Sequence, residues 1–106
     1  MLEVNKKIFI AGELATEALA EIEYTLLSLK NIARYYYDNA EDPSEVDAVA
    51  YAVETTRFID ENGVTQKLSK VRSIISEGFD GKVGEDDMDD LERAFQHLPI
   101  WKKPGD

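Results

Sequence analysis

A helical repeat in the first third of the chain limits the possible folds more than any other sequence feature. Apolar residues recur there at alternating four- and three-residue steps, which places all of them on one face of an α-helix. The stripe consists of Ala15, Leu19, Ile22, Leu26, Leu29, Ala33 and Tyr36. It predicts a helix from about Glu13 to Asn39. For Val4 to Ile10 upstream, a short extended segment is favoured over a continuation of the helix.

Start and stop signals define a second helix. Asp42 can cap free backbone amides, Pro43 suits the first helical position, and Glu45 completes an acid-x-x-Glu pattern. Asn62 and Gly63 provide a left-handed stop, so the predicted helix runs from Pro43 to about Glu61. Its expected buried stripe is Val46, Val49, Ala50, Val53 and either Phe58 or Ile59.

Two further amphipathic segments follow. A third helix is predicted over Thr65 to Glu77 and is expected to form a helical hairpin with the second. Its apolar repeat is Val64, Leu68, Val71, Ile75 and Phe79. A glycine-containing loop comes next, and then a fourth helix is predicted from about Glu85 to His97. Its apolar residues are Met88, Leu91, Phe95 and Leu98, and Pro99 ends it.

Four helices with short connections predict a mainly all-α fold, a compact four-helix-bundle-like single domain over residues 1–106. A hydrophobic fraction of 43% in 106 residues suits one core and little more. The indole of Trp101 is expected to pin the C-terminal tail, since so large an apolar ring is usually buried on at least one side.

Most catalytic sites need residue types that this chain lacks. It has no cysteine and a single histidine, His97, which leaves a nucleophile without an evident base. Ala94 stands where a Glu-x-x-His metal motif needs Glu, and a calcium loop starting at Asp80 would place Lys82 and Gly84 at ligand positions. The prediction is therefore a protein without catalytic, metal or cofactor sites. Acid–base chemistry by carboxylates alone is the enzymatic alternative.

The charge balance indicates the kind of partner. With 22 acidic and 12 basic residues the formal net charge is -10, which repels nucleic acid and anionic membrane surfaces and favours a basic protein. No apolar run approaches the roughly 20 residues of a membrane span. The absence of cysteine suits a reducing compartment, so a cytoplasmic location is predicted.

The acids are concentrated in two blocks. Residues 38–61 carry eight acids and one base, and residues 77–92 carry eight acids and one base, which gives -7 for each block. Tyrosines precede the first block, and rings beside carboxylates are typical of protein-binding surfaces. The predicted partner-binding residues are Tyr24, Tyr35, Tyr37, Glu41, Asp42, Glu45, Asp47, Asp86, Asp87, Asp89 and Asp90. The alternatives are that the tyrosines cover helix ends and that the acids serve solubility.

In composition the chain resembles the immunity proteins that neutralise colicin nucleases, although no stretch aligns with them and no functional residue is carried over. The leading hypothesis is a small acidic protein of the immunity, antitoxin or phage-inhibitor type. It would inhibit or regulate a basic nuclease, toxin or nucleic-acid-binding protein, and imitation of nucleic acid is one way to do so. The second hypothesis is a self-assembling structural helical protein, a homodimer paired through Leu14, Leu27 and Ile32 of the first helix.

Overall fold

The regular structure of the chain is helical. The computed structural model describes residues 1–38, 41–42 and 46–106, and no strand occurs in these ranges. There are three main helices, α1 (Gly12–Tyr37), α2 (Ala48–Glu61) and α3 (Val64–Ser76), with a short α4 (Asp90–Phe95) and a 3-10 helix (Glu3–Asn5). None of the helices in the described part combines the length and apolar character that a membrane span requires. The all-α prediction is confirmed.

The predicted compact four-helix bundle is wrong. The chain divides into two units, one formed by Ile10–Ile75 and the other by Met1–Phe9 with Ser76–Asp106. The three main helices belong to the first unit, apart from the last residue of α3, and α4 is only six residues long. It starts later than the predicted Glu85 because Asp89 caps it, accepting from the backbone amide of Glu92 in a capping box.

In the unit Ile10–Ile75, α2 and α3 follow one another along α1. The rings of Tyr36 and Tyr51 lie 6.0 Å apart and those of Tyr24 and Phe58 5.9 Å apart, which places α2 along the C-terminal half of α1. Two ion pairs place α3 along the N-terminal half of α1: Lys67 with Glu21 at 3.2 Å and Lys70 with Glu17 at 2.6 Å. Both helices therefore run antiparallel to α1 and form one two-helix layer with it. The predicted hairpin of α2 with α3 is wrong.

The core of this unit is built from small and medium-sized residues. Ala18, Val71 and Ile74 are buried together, with Ile10 and Ile22 packed against them. Of the predicted stripe on α1, Leu19 and Leu26 are exposed, whereas Ala18 and Thr25 are buried. Leu19 and Leu26 thus stand one position to the side of the seam, which is built on the smaller Ala18 and Thr25. In α3, Leu68 and Ile75 are likewise exposed beside the buried Val64, Val71 and Ile74.

Helix α2 begins later than the sequence predicts and turns a different face inward. Asp47 is the N-cap and accepts from the backbone amide of Ala50 at 2.9 Å. The predicted start at Pro43, the predicted partner-binding residue Glu45 and the predicted end of helix one at Asn39 lie outside the described residues. Val49 and Val53 are exposed, not buried as predicted. Tyr51 and Phe58 pack against tyrosine rings of α1, so of the predicted stripe the position Phe58 does face α1.

In the second unit, the side chain of Asn5 connects the N-terminal segment to Asp80 and Asp90 of the C-terminal segment. Its Nδ2 donates to the backbone oxygen of Asp80 and to Oδ2 of Asp90, and its Oδ1 accepts from the amide of Asp80. The backbone amide of Leu2 also donates to Asp90. No strand occurs in the predicted extended segment Val4 to Ile10: Val4 and Asn5 belong to the 3-10 helix, and a bend follows at Lys6 and Lys7. Trp101 is 80% exposed, so it does not pin the tail.

Candidate functional site

Four tyrosines cluster where the end of α1 meets α2. Tyr35 and Tyr36 meet edge to face with ring centroids 4.9 Å apart. Tyr51 of α2 lies edge to face against both Tyr36 and Tyr37, at 6.0 and 5.4 Å. Tyr36 is half-buried within the cluster, whereas Tyr35 and Tyr37 are 65% and 51% exposed. The cluster thus presents two outer rings to solvent on a packed aromatic base.

Carboxylates border these rings. Glu54 lies one turn beyond Tyr51 on α2, and Asp47 caps the same helix. An open cleft of about 410 Å³ is lined by Asn31, Ile32, Tyr35, Tyr36 and Glu54. We call the set of Tyr35, Tyr36, Tyr37, Asp47, Tyr51 and Glu54 the tyrosine–acid surface.

The titration of Tyr36 reflects this setting. Its pKa is raised above the ordinary value, first by desolvation and then by the negative charge of Glu54, with smaller effects from Tyr35 and Asp47. Both causes disfavour a phenolate at this position. Near neutral pH the ring of Tyr36 is therefore neutral, beside the carboxyl groups of Glu54 and Asp47.

No family model, curated protein or solved structure matches this chain. Function has to be argued from its own residues. The tyrosine–acid surface offers flat apolar rings and adjacent negative charge, a combination that suits the aliphatic stem and cationic head of Lys or Arg. The chain already contains such a contact, because Nζ of Lys67 lies 5.2 Å from the ring centroid of Tyr24.

The structure does not place Tyr24 with the other predicted tyrosines. Tyr24 lies 11 positions before Tyr35 on α1, about 16 Å along the helix axis. Its hydroxyl donates to Oδ1 of Asn62 at 2.9 Å and its ring packs on Phe58. Tyr24 thus helps to hold the α2–α3 junction against α1. Its predicted role in binding stays a prediction.

The predicted acids between the two helices are only partly described. Glu41 and Asp42 are exposed in the connection from α1 to α2, while Glu45 lies outside the described residues. Asp47 is exposed as well, although its side chain also caps α2. Asp47 lies close enough to the tyrosines to act electrostatically on Tyr36.

The second predicted acidic patch lies in the other unit, where several of its carboxylates hold the local structure together. Asp86 and Asp90 pair with Arg93, and Asp90 is buried against Asn5. Asp89 caps α4. Asp87 is exposed and adopts a left-handed backbone with φ 63°. A binding role for this patch stays a prediction.

Three residues of the tyrosine–acid surface were absent from the predicted site. Tyr36 was assigned to the apolar stripe of α1. Tyr51 and Glu54 were passed over because the pattern of valines assigned the opposite face of α2 to the core. Their three-residue spacing puts them on one face of α2, and that spacing was the available signal. Of the residues predicted for self-assembly, Leu14 and Leu27 are exposed and Ile32 lines the cleft.

Proposed function

We propose that this protein is a small acidic binding protein that inhibits or regulates a basic protein, such as a nuclease, a toxin or a nucleic-acid-binding protein. One observation carries the proposal: Tyr35 and Tyr37 expose their rings on a packed tyrosine cluster that is bordered by Asp47 and Glu54. Exposed tyrosines contribute large contact area at low entropic cost, and the carboxylates select Lys or Arg on the partner. The protein acts without catalysis, in the cytoplasm.

The interface is assigned to the tyrosine–acid surface and not to the second acidic patch. Asp90 is buried and shares Arg93 with Asp86 in the network that joins the unit, so a partner would have to break that network to use them. Glu54 also pairs with Arg57, at 2.9 Å, but both side chains of that pair are about half exposed, and such a surface pair is easily exchanged. The net charge of -10 accelerates capture of a basic protein from any direction, whereas the rings and nearby acids fix where it binds.

The first test is affinity capture of the tagged protein from its native lysate at low salt and again near about 0.5 M salt, where exposed ion pairs are screened. A basic protein retained at low salt and weakened at high salt is expected. Retention of acidic proteins, or of further copies of the chain alone, would contradict the proposal.

Matched variants then locate the interface. Replacing Tyr35 and Tyr37 together by alanine is expected to weaken binding of the captured protein at least tenfold, about 1.4 kcal/mol. Leu27→Ala, which removes another exposed apolar side chain of α1, should leave affinity unchanged. Glu54→Gln should slow association, while Asp60→Asn on the same helix, which removes the same charge, should do so less. The assignment would be refuted if Leu27→Ala weakened binding as much as the tyrosine double variant, or if Asp60→Asn slowed association as much as Glu54→Gln.

A further inference from the structure

The cleft between α1 and α2 has two sides of different chemistry. On the α1 side, Asn31 and Tyr35 lie one helical turn apart and form one row. Ile32 and Tyr36 form the row beside it. On the α2 side, Glu54 contributes a carboxylate. The described lining of the cleft therefore combines apolar surface, one amide and one negative charge, and it includes no basic residue.

The rings of Tyr35 and Tyr36 form a corner in this cleft. Their centroids are 4.9 Å apart and their planes are inclined by 81°. A flat group that lies against the face of one ring is therefore bounded at its side by the other. The face of an aromatic ring is negative and attracts cations, and a guanidinium also stacks on it. The corner thus favours a flat cation.

Glu54 already accepts a guanidinium from its own helix. Nη1 of Arg57 lies 2.9 Å from Oε1 of Glu54, and a surface pair of this kind contributes little stability. A carboxylate accepts hydrogen bonds at two oxygens, so an incoming donor does not need the one that Arg57 contacts. Arg57 also has a second partner, because its Nε lies 4.0 Å from Oε1 of Glu61. Arg57 therefore keeps an ion pair when another cation takes Glu54.

The lining favours arginine over lysine as that cation. A guanidinium is planar, weakly hydrated and carries five donors in a fixed fork, so it stacks on a ring while it donates to a carboxylate. An ammonium is strongly hydrated and loses more on leaving water for a cleft lined by Ile32 and two rings. Donors that Glu54 leaves unused have a further acceptor in the side-chain oxygen of Asn31. The volume, about 410 Å³, is near the lower end of the roughly 300 to 1,000 Å³ of ligand pockets and suits one side chain.

We infer that this cleft binds one arginine side chain of the partner protein, with the guanidinium stacked in the corner of Tyr35 and Tyr36 and hydrogen-bonded to Glu54. The inference rests on the proposed function and specifies the residue by which the partner is held. Arg57 regulates the site, since it competes with the incoming guanidinium for Glu54. The ligand is a side chain and not free arginine, because the described lining offers no cation for an α-carboxylate.

Titration of the full chain with single blocked amino acids tests the inference. N-acetyl-arginine methylamide is added at constant ionic strength, and NMR follows the side-chain amide of Asn31 and the tyrosine rings. A saturable shift with a dissociation constant on the order of 1 to 10 mM is expected, since one side chain supplies only part of an interface. The citrulline analogue, in which a neutral urea replaces the guanidinium, should bind at least about tenfold more weakly. The lysine analogue should bind at least about threefold more weakly.

Three results of this titration would overturn the inference. The first is the absence of saturation up to about 50 mM arginine analogue, well above the expected dissociation constant. The second is equal binding of the lysine or citrulline analogue. The third is tighter binding of free arginine than of the blocked form, which would indicate a small-molecule site.

Three variants then locate the binding. Glu54→Gln should weaken binding of the arginine analogue at least about tenfold, because a charge-assisted pair is lost. Asp60→Asn, which removes the same charge from the same helix, should weaken it less than about twofold. Arg57→Gln should instead tighten binding about twofold to fivefold, because the competitor for Glu54 is gone. Equal losses in the two acid variants, or weaker binding in Arg57→Gln, would contradict the assignment.

The arginine site and the proposed function fail in different ways. If the arginine analogue binds but the lysate yields no basic protein, the arginine site stands without the inhibitory function. If a basic protein is captured through Tyr35 and Tyr37 but the arginine analogue leaves the Asn31 amide unshifted, the function stands and the arginine site is wrong.

Discussion

Arg93 holds Asp86 in a bidentate ion pair, with Nε 2.8 Å from Oδ2 and Nη2 2.8 Å from Oδ1. Its Nη1 donates to Oδ1 of Asp90 at 3.0 Å, and Nη2 donates also to the backbone oxygen of Met88. One guanidinium thus joins the loop before α4 to the first residue of that helix. Asp90 connects onward to Asn5 and Leu2, so this network links the two chain segments of the unit.

This network should make the unit Met1–Phe9 with Ser76–Asp106 sensitive to acid. The hydrogen bonds from Arg93 lower the pKa of Asp86 to about 2, and the hydrogen bond from Asn5 lowers the pKa of Asp90. A carboxyl whose pKa is lower in the folded state stabilises the fold fully above its unfolded pKa, about 4, and loses that effect as pH falls through the folded pKa. We expect amide NMR signals of this unit to lose dispersion between pH about 4 and 2. Asp86→Asn should flatten that dependence, whereas an unchanged acid midpoint in this variant would contradict the explanation.

Asn5 should be the most sensitive uncharged position of the same unit. It is buried, and its amide group makes three hydrogen bonds, to Asp80 and Asp90. Asn5→Ala leaves buried polar atoms without partners, which costs about 1 to 3 kcal/mol. Faster hydrogen exchange at the amides of Leu2 and Asp80 would report the loss. Lys6→Ala, which removes an exposed ion pair to Glu3, should change exchange little, and equal effects from both variants would contradict this role.

The helices were predictable from the sequence, and the faces they bury only in part. Val64 and Val71 of the predicted α3 repeat are buried, whereas Leu68 and Ile75 of the same repeat are exposed. Periodicity found α1 and α3 almost to their ends, because apolar spacing reports helical structure directly. It then assigned the seam to the largest apolar residues, such as Leu19 and Val53. The seam instead uses Ala18 and Thr25, and hydropathy alone cannot reveal which side of an apolar stripe a neighbouring helix covers. The same error left Tyr51 and Glu54 out of the predicted site. Glu54 is one of the two acids that border the tyrosines.

The inverted assignment of the core can be tested by a pair of truncations. Ile74 is buried against Ala18 and Val71, so Ile74→Ala should lower the free energy of unfolding by about 2 to 4 kcal/mol. Val53, which the sequence placed in the core, is exposed, and Val53→Ala should cost less than about 0.5 kcal/mol. Urea unfolding followed by circular dichroism measures both. Comparable losses would mean that α2 buries its valines after all.

The tyrosine cluster should reveal itself in alkaline titration. Desolvation and the charge of Glu54 raise the pKa of Tyr36, so the signal of its ring should titrate above the ordinary value of 10.0 in NMR of ring-labelled tyrosine. Glu54→Gln should move that midpoint down, and Asp60→Asn should move it less. Because the folded pKa is the higher one, the stability that the neutral ring contributes is full below about pH 10 and is lost as pH rises through the folded pKa. Titration of Tyr36 at the ordinary value of 10.0 would show that the cluster is looser than described.

The junction of α2 and α3 depends on one glycine. Gly63 adopts φ 58°, a left-handed conformation that costs residues with a Cβ roughly 1 kcal/mol, and a Cβ there would also meet Oε1 of Gln66 at 3.2 Å. Gly63→Ala should therefore lower the free energy of unfolding by about 1 kcal/mol. Gly12→Ala is the matched control, because Gly12 opens α1 with nothing within 4 Å of an added Cβ, and alanine there should be neutral or slightly stabilising. Urea unfolding of the two variants measures the difference between their free energies of unfolding. If Gly63→Ala were as stable as Gly12→Ala, the order of α2 and α3 along α1 would not depend on a left-handed turn at this position.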